Sequence, residues 1–548
     1  MGAKHSSSSY SLSSSSLNIK QGQEIIEGIV CKESDIPENG MKEFSLGQNG
    51  GKVLLVKQKG NLFAVGTKCS HYGAPLVTGA LGQGRIRCPW HGACFDLKTG
   101  DIEDFPGLDS LPCYNVKVLD NGDVKICGNK ASLVANKREK SKCRRDPNSK
   151  DTFIIIGGGA AGSACAETLR QEGFVGKLVI ISSDKYLPYD RPKVSKQLDA
   201  NINNILLRKN EFYEKNDIEV LTNETVSSLD TKNKIVKTKS GKEFSFNKIF
   251  IGCGVNARIP TFLEGYDLQN IFTIRSLENA NKIHALLTPE TKVVIIGSSF
   301  IAMESAAFCA SKVKSVMVLG KASVPFENIL GKEIGERIAK LFTSKGVNLQ
   351  MSSNIEKFVG ENGKLTQVIA NGVAIPADLC IVGLGSQYDT KFLQESGISL
   401  TENGAVEVDE YLRTNVKDVY AGGDVAYAPI YRSTNKKDSI GHWQLAQKHG
   451  FTAAQNMIGK SEPIKSVPFF FSMLFGNGLR YAGYGHGFDN IITTGDLDNL
   501  KFVAYFCKGD EVIAAASIAS DPIVAKFAEF IYEGKKLSKS QVTSEWYK

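Results

Sequence analysis

Two short segments of this 548-residue chain bring thiols and imidazoles close together: Cys69-Ser70-His71 and Cys88-Pro89-Trp90-His91. A C-x-H pair followed by a C-x-x-H pair sets two thiolates and two imidazoles on a pair of loops. That is the ligand set of a [2Fe–2S] cluster, with Cys69 and Cys88 on one iron and His71 and His91 on the other. Imidazole in place of thiolate raises the reduction potential, so such a cluster accepts electrons readily from a flavin. The competing reading is a structural zinc site. Zinc-finger spacings normally include a C-x-x-C pair, which this sequence lacks.

Two glycine-rich turns point to nucleotide phosphates. Phe153-Ile154-Ile155-Ile156 reads as a buried strand running into Gly157-Gly158-Gly159-Ala160-Ala161-Gly162, then a helix to about Gly173 and a second strand from Lys177 to Ile181. In that context the pyrophosphate rests on the helix N-terminus, where free N–H groups and the dipole favour negative charge. Gly157, Gly159, Ala161 and Gly162 shape the turn. Asp184 is the candidate for ribose hydroxyls, with Ser182 or Ser183 as alternatives in a neighbouring register. A second unit begins at Lys292-Val293-Val294-Ile295-Ile296-Gly297 and continues as a helix to about Ser311. Two such units suggest two nucleotides, FAD first and NADH or NADPH second. Further on, Thr414 to Asp424 reads as a strand delivering a carboxylate, Asp424, after Gly422-Gly423, suited to the flavin ribityl chain. Gly254 completes the expected cofactor-binding set.

The elements around these motifs change character along the chain. Short β-rich runs between residues 23 and 130 alternate with Gly, Asn and Asp turns, a small all-β pattern. From 151 onward, strands alternate with helices. Gly73, Gly92 and the CPWHG string make the first region resemble Rieske ferredoxins. Leu187-Pro188-Tyr189-Asp190-Arg191-Pro192-Lys193-Val194-Ser195-Lys196, the Gly-Gly-Asp strand and His442-Trp443-Gln444 resemble the apoptosis-inducing-factor and ferredoxin-reductase flavoproteins. From about residue 25 the chain is similar to Rieske-bearing members of that family. The resemblance implies a multidomain fold: a small all-β Rieske domain (23–130), a basic linker (131–150), then an α/β two-dinucleotide-binding-domain flavoprotein of glutathione-reductase-like type. Its FAD-binding domain would take 151–280 and 407–457, its NAD(P)-binding domain 281–406, and a C-terminal α+β reductase domain 458–548. By the same resemblance Arg191 and Lys196 touch FAD, Val226 lines the adenine pocket and Asp424 binds the ribityl chain. Lys196 and Glu304 would pair beside the isoalloxazine, with Trp443 near the flavin–nicotinamide interface; these three are the candidate catalytic residues. Ala74 and Trp90 stand where high-potential Rieske proteins carry a loop disulfide, which implies the lower-potential, ferredoxin-like type.

The nicotinamide unit departs from the family pattern. Ser299 replaces the glycine that lets backbone approach the pyrophosphate, and Ala302 stands at the third glycine position. After the next strand, Gly320 and Lys321 occupy the place of the acid expected to hold a ribose 2′-hydroxyl. Loss of the acid and gain of a cation is the direction expected for NADPH, and equally for a decaying site. Cys253 where the family often has Thr, and Tyr388 for a proline, are milder departures. Two functions therefore compete. One is an NAD(P)H-dependent flavoprotein oxidoreductase passing single electrons to its own Rieske cluster and onward to an unknown acceptor. The other is an apoptosis-related or redox-sensing flavoprotein with an impaired nicotinamide site. Beyond the cluster ligands, none of the other ten of the twelve cysteines forms a closely spaced pair, which argues against a dithiol mechanism.

Composition narrows the rest. A chain that is 42% hydrophobic and 23% charged is neither fibrous nor wholly disordered. The net charge of +8 is mild for this length, and no nucleic acid is expected as partner. Residues 137–150 hold seven Lys/Arg against two acids, read as a flexible, self-repelling connector. Residues 1–22, with nine serines between Ser6 and Ser16, read as a disordered tail. Its start fits N-myristoylation at Gly2, which alone gives weak membrane contact; a transit peptide and an unmodified tail are the other readings. No apolar run is long enough for a transmembrane helix. The expected location is intracellular, cytoplasmic or mitochondrial, with membrane association through Gly2 as the variant, and the expected state a monomer or homodimer.

Overall fold

The computed structural model describes residues 24–47, 51–433, 436–542 and 546–547. The Ser-rich segment 1–22, with Gly2, lies outside the described residues.

The N-terminal region packs two antiparallel sheets. A six-stranded sheet is built from Ile25–Lys32, Asp123–Asn129, Cys113–Val118, Asn61–Val65, Gly51–Gln58 and Met41–Leu46, in that spatial order. A smaller sheet takes Ala80–Gly82, Arg85–Arg87, Cys94–Asp96 and Ile102–Asp104. The pairing of Arg87 with Cys94 makes Cys88 to Ala93 the tip of a hairpin. The other Cys/His segment follows strand Asn61–Val65.

The flavoprotein part begins with a five-stranded parallel sheet. Its order is Ile218–Leu221, Lys177–Ile181, Thr152–Ile156, Lys248–Ile251 and Val419–Ala421, so the strand before the first glycine turn lies at the centre. Ile154, Ile155 and Ile180 are fully buried, as expected of central parallel strands covered on both faces, and flap residues such as Leu229 and Val236 share their core. A second parallel sheet, Ile271–Thr273, Leu379–Val382, Lys292–Ile296, Ser315–Leu319 and Val347–Gln350, repeats the plan. The strand Ile271–Thr273 pairs with Leu379–Val382 of this second sheet, so an expected division at 280/281 falls too late. Strand Val406–Glu407 straddles the expected division at 406/407. Neither short strand has enough alternation to be read from sequence. Each parallel unit carries a three-stranded antiparallel flap. The last region is a five-stranded antiparallel sheet covered by helix Ile523–Tyr532. Side chains of this sheet, among them Leu479, Phe502 and Phe506, share one buried core with the nicotinamide-type unit.

The basic segment corrects one expectation: it is not a free, self-repelling connector. Arg138 and Ser110 exchange backbone hydrogen bonds, Cys143 N–H donates to Arg170 O, and Asp146 N–H donates to Val175 O. Its cations meet acids on both sides. Arg138 and Lys140 pair with Asp101, Lys142 with Glu167 at 3.1 Å, and Arg144 with Asp217 at 3.1 Å. Counting charge within the segment hid these partners, which lie far off in sequence.

Candidate functional site

The two Cys/His loops are built alike. Cys69 N–H donates to Ala74 O at 2.8 Å and Gly73 N–H returns to Cys69 O at 3.0 Å; Cys88 N–H donates to Ala93 O at 2.7 Å and Gly92 N–H to Cys88 O at 3.2 Å. Gly73 and Gly92 sit at φ +79° and +82°, which favours glycine, and a Cβ at Gly92 would meet the Phe469 ring at 2.6 Å. Each loop so folded turns backbone N–H groups toward its sulfur, His71 and Tyr72 toward Cys69, Trp90 and His91 toward Cys88. The two thiols hydrogen-bond each other, which lowers Cys88 and raises Cys69.

The imidazoles lie beside them, with ring centroids 4.9 Å apart. Burial, with Lys193 adding to it, lowers His71 to about 3; burial, with His71, Arg480 and Lys196 adding, lowers His91 to about 2. Both rings are therefore neutral, as metal ligands must be. The buried Nδ1 of His71 has no hydrogen-bond partner. A mononuclear zinc site would need its ligands to converge on a single ion. Two thiols and two imidazoles in separate pairs instead fit a cluster whose two irons take two protein ligands each.

A cavity of about 1280 Å³ opens beside these loops, and His91, Pro106 and the first glycine turn all border it. Gly157 has φ +106°, and a Cβ there would lie 2.3 Å from Gly252 O; a Cβ at Gly162 would lie 1.9 Å from Gly157 O. Above Gly159 nothing lies within 4 Å, which leaves room for a pyrophosphate against the N-terminus of helix Ala160–Gln171. Ala161, Asp184, Arg191, Val226, Gly254, Asp424 and Trp443 also border this cavity. Ser182, Ser183 and Asp184 all reach it after strand Lys177–Ile181, and Asp184 is held by Arg191 at 3.2 Å and Tyr189 at 2.8 Å. The buried Nδ1 of His442, also on the cavity wall, is unpartnered. Glycine cradle, open space and orphaned nitrogen together fit a dinucleotide such as FAD.

Lys196 Nζ stands 2.9 Å from Glu304 Oε1 on the cavity wall. Glu304 is buried and accepts two more bonds, from Ser195 Oγ at 2.5 Å and Ser472 Oγ at 2.7 Å. Sequence reasoning missed both serines, and it missed Phe471. The Phe471 ring lies 3.9 Å from His91 and 5.3 Å from Lys196 Nζ, between cavity and cluster loops. The run Phe469-Phe470-Phe471 was the available signal. Arg275, 3.4 Å from Asp424, was missed as well. Of the cysteines only Cys253 borders the cavity among the described residues, and burial pushes its thiol up to about 12. It is protonated and unsuited to thiolate chemistry.

Two predicted residues stand apart. Gly297 and Lys321 lie outside the cavity lining, on the second unit. Gly297 has φ +108°, with Gly383 O 2.3 Å from a would-be Cβ, matching Gly157 closely. Ser299 takes nearly the same extended backbone as Gly159 and its exposed side chain caps nothing. Lys321 is exposed, and no carboxylate pairs with it among the described residues.

Residues 27–115 match the Rieske [2Fe-2S] domain family and residues 151–450 the pyridine nucleotide-disulphide oxidoreductase family. Apoptosis-inducing factor 3 of Homo sapiens is 42% identical over 526 residues, 95% of this chain and 86% of that protein. The ferredoxin–NAD(+) reductase subunit of a benzene 1,2-dioxygenase system from Pseudomonas putida is 30% identical, over 63% of this chain and 83% of its own length. Among solved structures, the ferredoxin reductase of the CYP199A2 system from Rhodopseudomonas palustris superposes with a TM-score of 0.68 at 23% identity. It covers 73% of this chain and 98% of that one, a likeness of fold. The chain belongs to the pyridine nucleotide-disulphide oxidoreductase family, as a flavoprotein with a Rieske [2Fe–2S] domain that takes electrons from a nicotinamide nucleotide and passes them to an iron–sulfur centre.

Proposed function

We propose that the electrons cross within one docked molecule, from a flavin in the 1280 Å³ cavity to a cluster held by Cys69, His71, Cys88 and His91. The observation that carries this reading is that His91 borders the same cavity as the glycine turn at Gly157 and Gly159. Bound FAD supplies the conversion between a two-electron donor and a one-electron acceptor. The chain's residues do the holding. The turn from Gly157 to Gly162 receives the pyrophosphate, Val226 the adenine, and Asp424 the ribityl hydroxyls, steadied by Arg275. Asp184 and Arg191 fix one another beside the ribose. Lys196, anchored by Glu304, presents a fixed cation to the cavity, and Trp443 closes the wall on which the nicotinamide would arrive. Relatives named ferredoxin reductases suggest an iron–sulfur acceptor, here carried on the same chain.

Lys321 favours NADPH as the donor, since an unpaired cation after the strand Ser315–Leu319 suits a 2′-phosphate. Anaerobic stopped-flow mixing with NADH and NADPH, read at flavin and cluster wavelengths, tests both statements. Bleaching of flavin followed by cluster reduction is expected, faster with NADPH. No bleaching by either nucleotide sinks the enzyme reading, and a clear advantage for NADH sinks the role of Lys321. The second reading, a redox-sensing flavoprotein that turns over poorly, is favoured by Ser299 alone. Its side chain stands at the position where the first unit, with Gly159, leaves open space. Ser299→Gly is then expected to tighten nucleotide binding about tenfold, worth ~1.4 kcal/mol; unchanged binding removes that reading's support.

A further inference from the structure

Between the cluster loops and the far end of the chain lies a dense group of buried charges. Arg87, fully buried and next to Cys88, donates from Nη1 to the carbonyl of Gly92 at 2.7 Å. The same guanidinium meets Asp104 at 3.2 Å and donates from Nε to Glu529 of helix Ile523–Tyr532. Arg85 adds an ion pair to Glu529 at 3.2 Å and donates to the buried Cys94 thiol at 2.9 Å. On the other side Asp104 accepts from Ser466 Oγ at 2.8 Å and from Gln444, the neighbour of Trp443. Lys448, on helix Trp443–Met457 with Gln444, reaches Glu103 O at 2.7 Å. Docking by apolar contact alone would not need buried charge, and an unpaired charge here would be costly.

We infer that Glu529 is a positioning residue that sets the reduction potential of the cluster through Arg87; this rests on the reading of Cys69, His71, Cys88 and His91 as its ligands. Reduction adds one electron to the cluster, so a positive charge nearby favours the reduced form and a negative charge opposes it. Arg87 brings a cation to the Gly92 carbonyl, next to His91. The carboxylates of Glu529 and Asp104 neutralise that cation in surroundings that screen little. Hydrogen bonds and fixed charges around a cluster are established levers on its potential. Glu529 comes from the last domain, so the cluster carries its neutralised environment only while the Rieske domain is docked.

The test is a reductive titration of the cluster-loaded full chain with dithionite and mediators, followed by cluster absorbance and electron paramagnetic resonance, with no nicotinamide present. Glu529→Gln keeps the shape and removes the charge; an upward shift of the cluster midpoint is expected, with the flavin midpoint unmoved. Glu529→Asp is expected to return the cluster midpoint toward wild type. Ser466→Ala breaks a docking hydrogen bond without altering charge and should leave the cluster midpoint in place. An unchanged or lowered midpoint in Glu529→Gln overturns the inference, as does an equal shift in Ser466→Ala, which would mean that docking alone matters. If Glu529→Gln does not fold, Asp104→Asn removes the other carboxylate on Arg87 and is held to the same upward shift. A chain that binds no cluster at all sinks the ligand assignment instead.

Discussion

Glu304 shows how much one carboxylate can organise. Its two oxygens take Lys196, Ser195 and Ser472, three donors from the FAD-binding and C-terminal parts of the chain. Removing it leaves the two hydroxyls without this acceptor and the Lys196 ammonium with only Pro192 O, at 3.2 Å. Glu304→Ala is expected to cost ~3 kcal/mol of unfolding free energy, the range for breaking a buried pair by deleting one partner. Urea denaturation of the flavin-loaded protein measures this; a loss well under 1 kcal/mol would mean that water replaces the carboxylate easily. At the cluster the ligand assignment is equally exposed to test. His71→Cys or His91→Cys is expected to keep FAD and alter the visible and paramagnetic spectra of the cluster, because thiolate replaces imidazole on one iron. An unchanged spectrum removes that histidine from the ligand set.

Among the elements, helix Trp443–Met457 does the most joining. Its first turn borders the flavin cavity, its middle faces the Rieske domain, and it packs along helix Ala160–Gln171. His449 on this helix accepts from the N–H of Gly423 at 3.1 Å, tying the helix to the Gly-Gly-Asp turn. Burial lowers His449 to about 4, and the same cause lowers His442 to about 4. An unfolded histidine titrates near 6.5, so the folded values are depressed. The unfolded chain therefore takes up protons first as pH falls. The stability tied to neutral His449 and His442 is fully present above about pH 6.5 and is lost progressively toward pH 4. Denaturation midpoints should accordingly drop between pH 7 and pH 4.5, by up to roughly 3 kcal/mol for each histidine. His449→Gln keeps an acceptor without the titration, and should flatten the slope. An identical slope in that variant would assign the pH dependence elsewhere.

For the molecule as a whole, the Rieske domain is a fixed part of the reductase rather than a module on a tether. Tyr72 hydrogen-bonds Asp190, and Arg208 bridges Asp109 at 2.7 Å and Glu167 at 2.8 Å across the seam. The basic segment runs through the same seam and is bonded on both sides. Trypsin, which needs an extended and accessible chain, should therefore cut slowly between residues 137 and 150 despite seven Lys/Arg there. Arg208→Ala is expected to speed cleavage in that segment several-fold, read as release of an N-terminal fragment on a gel. Equal rates for both proteins would show that the seam holds without this bridge. No helix among the described residues is long and apolar enough to cross a membrane.

Where a candidate site is built from residues near in sequence, its local shape is legible from the sequence. The loops of Cys69 with His71 and of Cys88 with His91, and the turn from Gly157 to Gly162, could be picked out because a loop's shape is a local matter, set by spacing and by glycines that a Cβ would block. The pair Lys196–Glu304 was reachable only through resemblance. Nothing in the spacing of the two residues brings them together. Ser472 and Arg275 could not be read at all, and Phe471 only as part of an aromatic run, since each gains its role from a neighbour remote in the chain. The basic segment was misjudged for the same reason: its countercharges Asp101, Glu167 and Asp217 are remote in the chain. The contact between Arg87 and Glu529 spans 442 residues. Local conformation follows from local residues. The pairing of charges, and with it the surroundings of the cluster, is decided only when the sheets and helices pack.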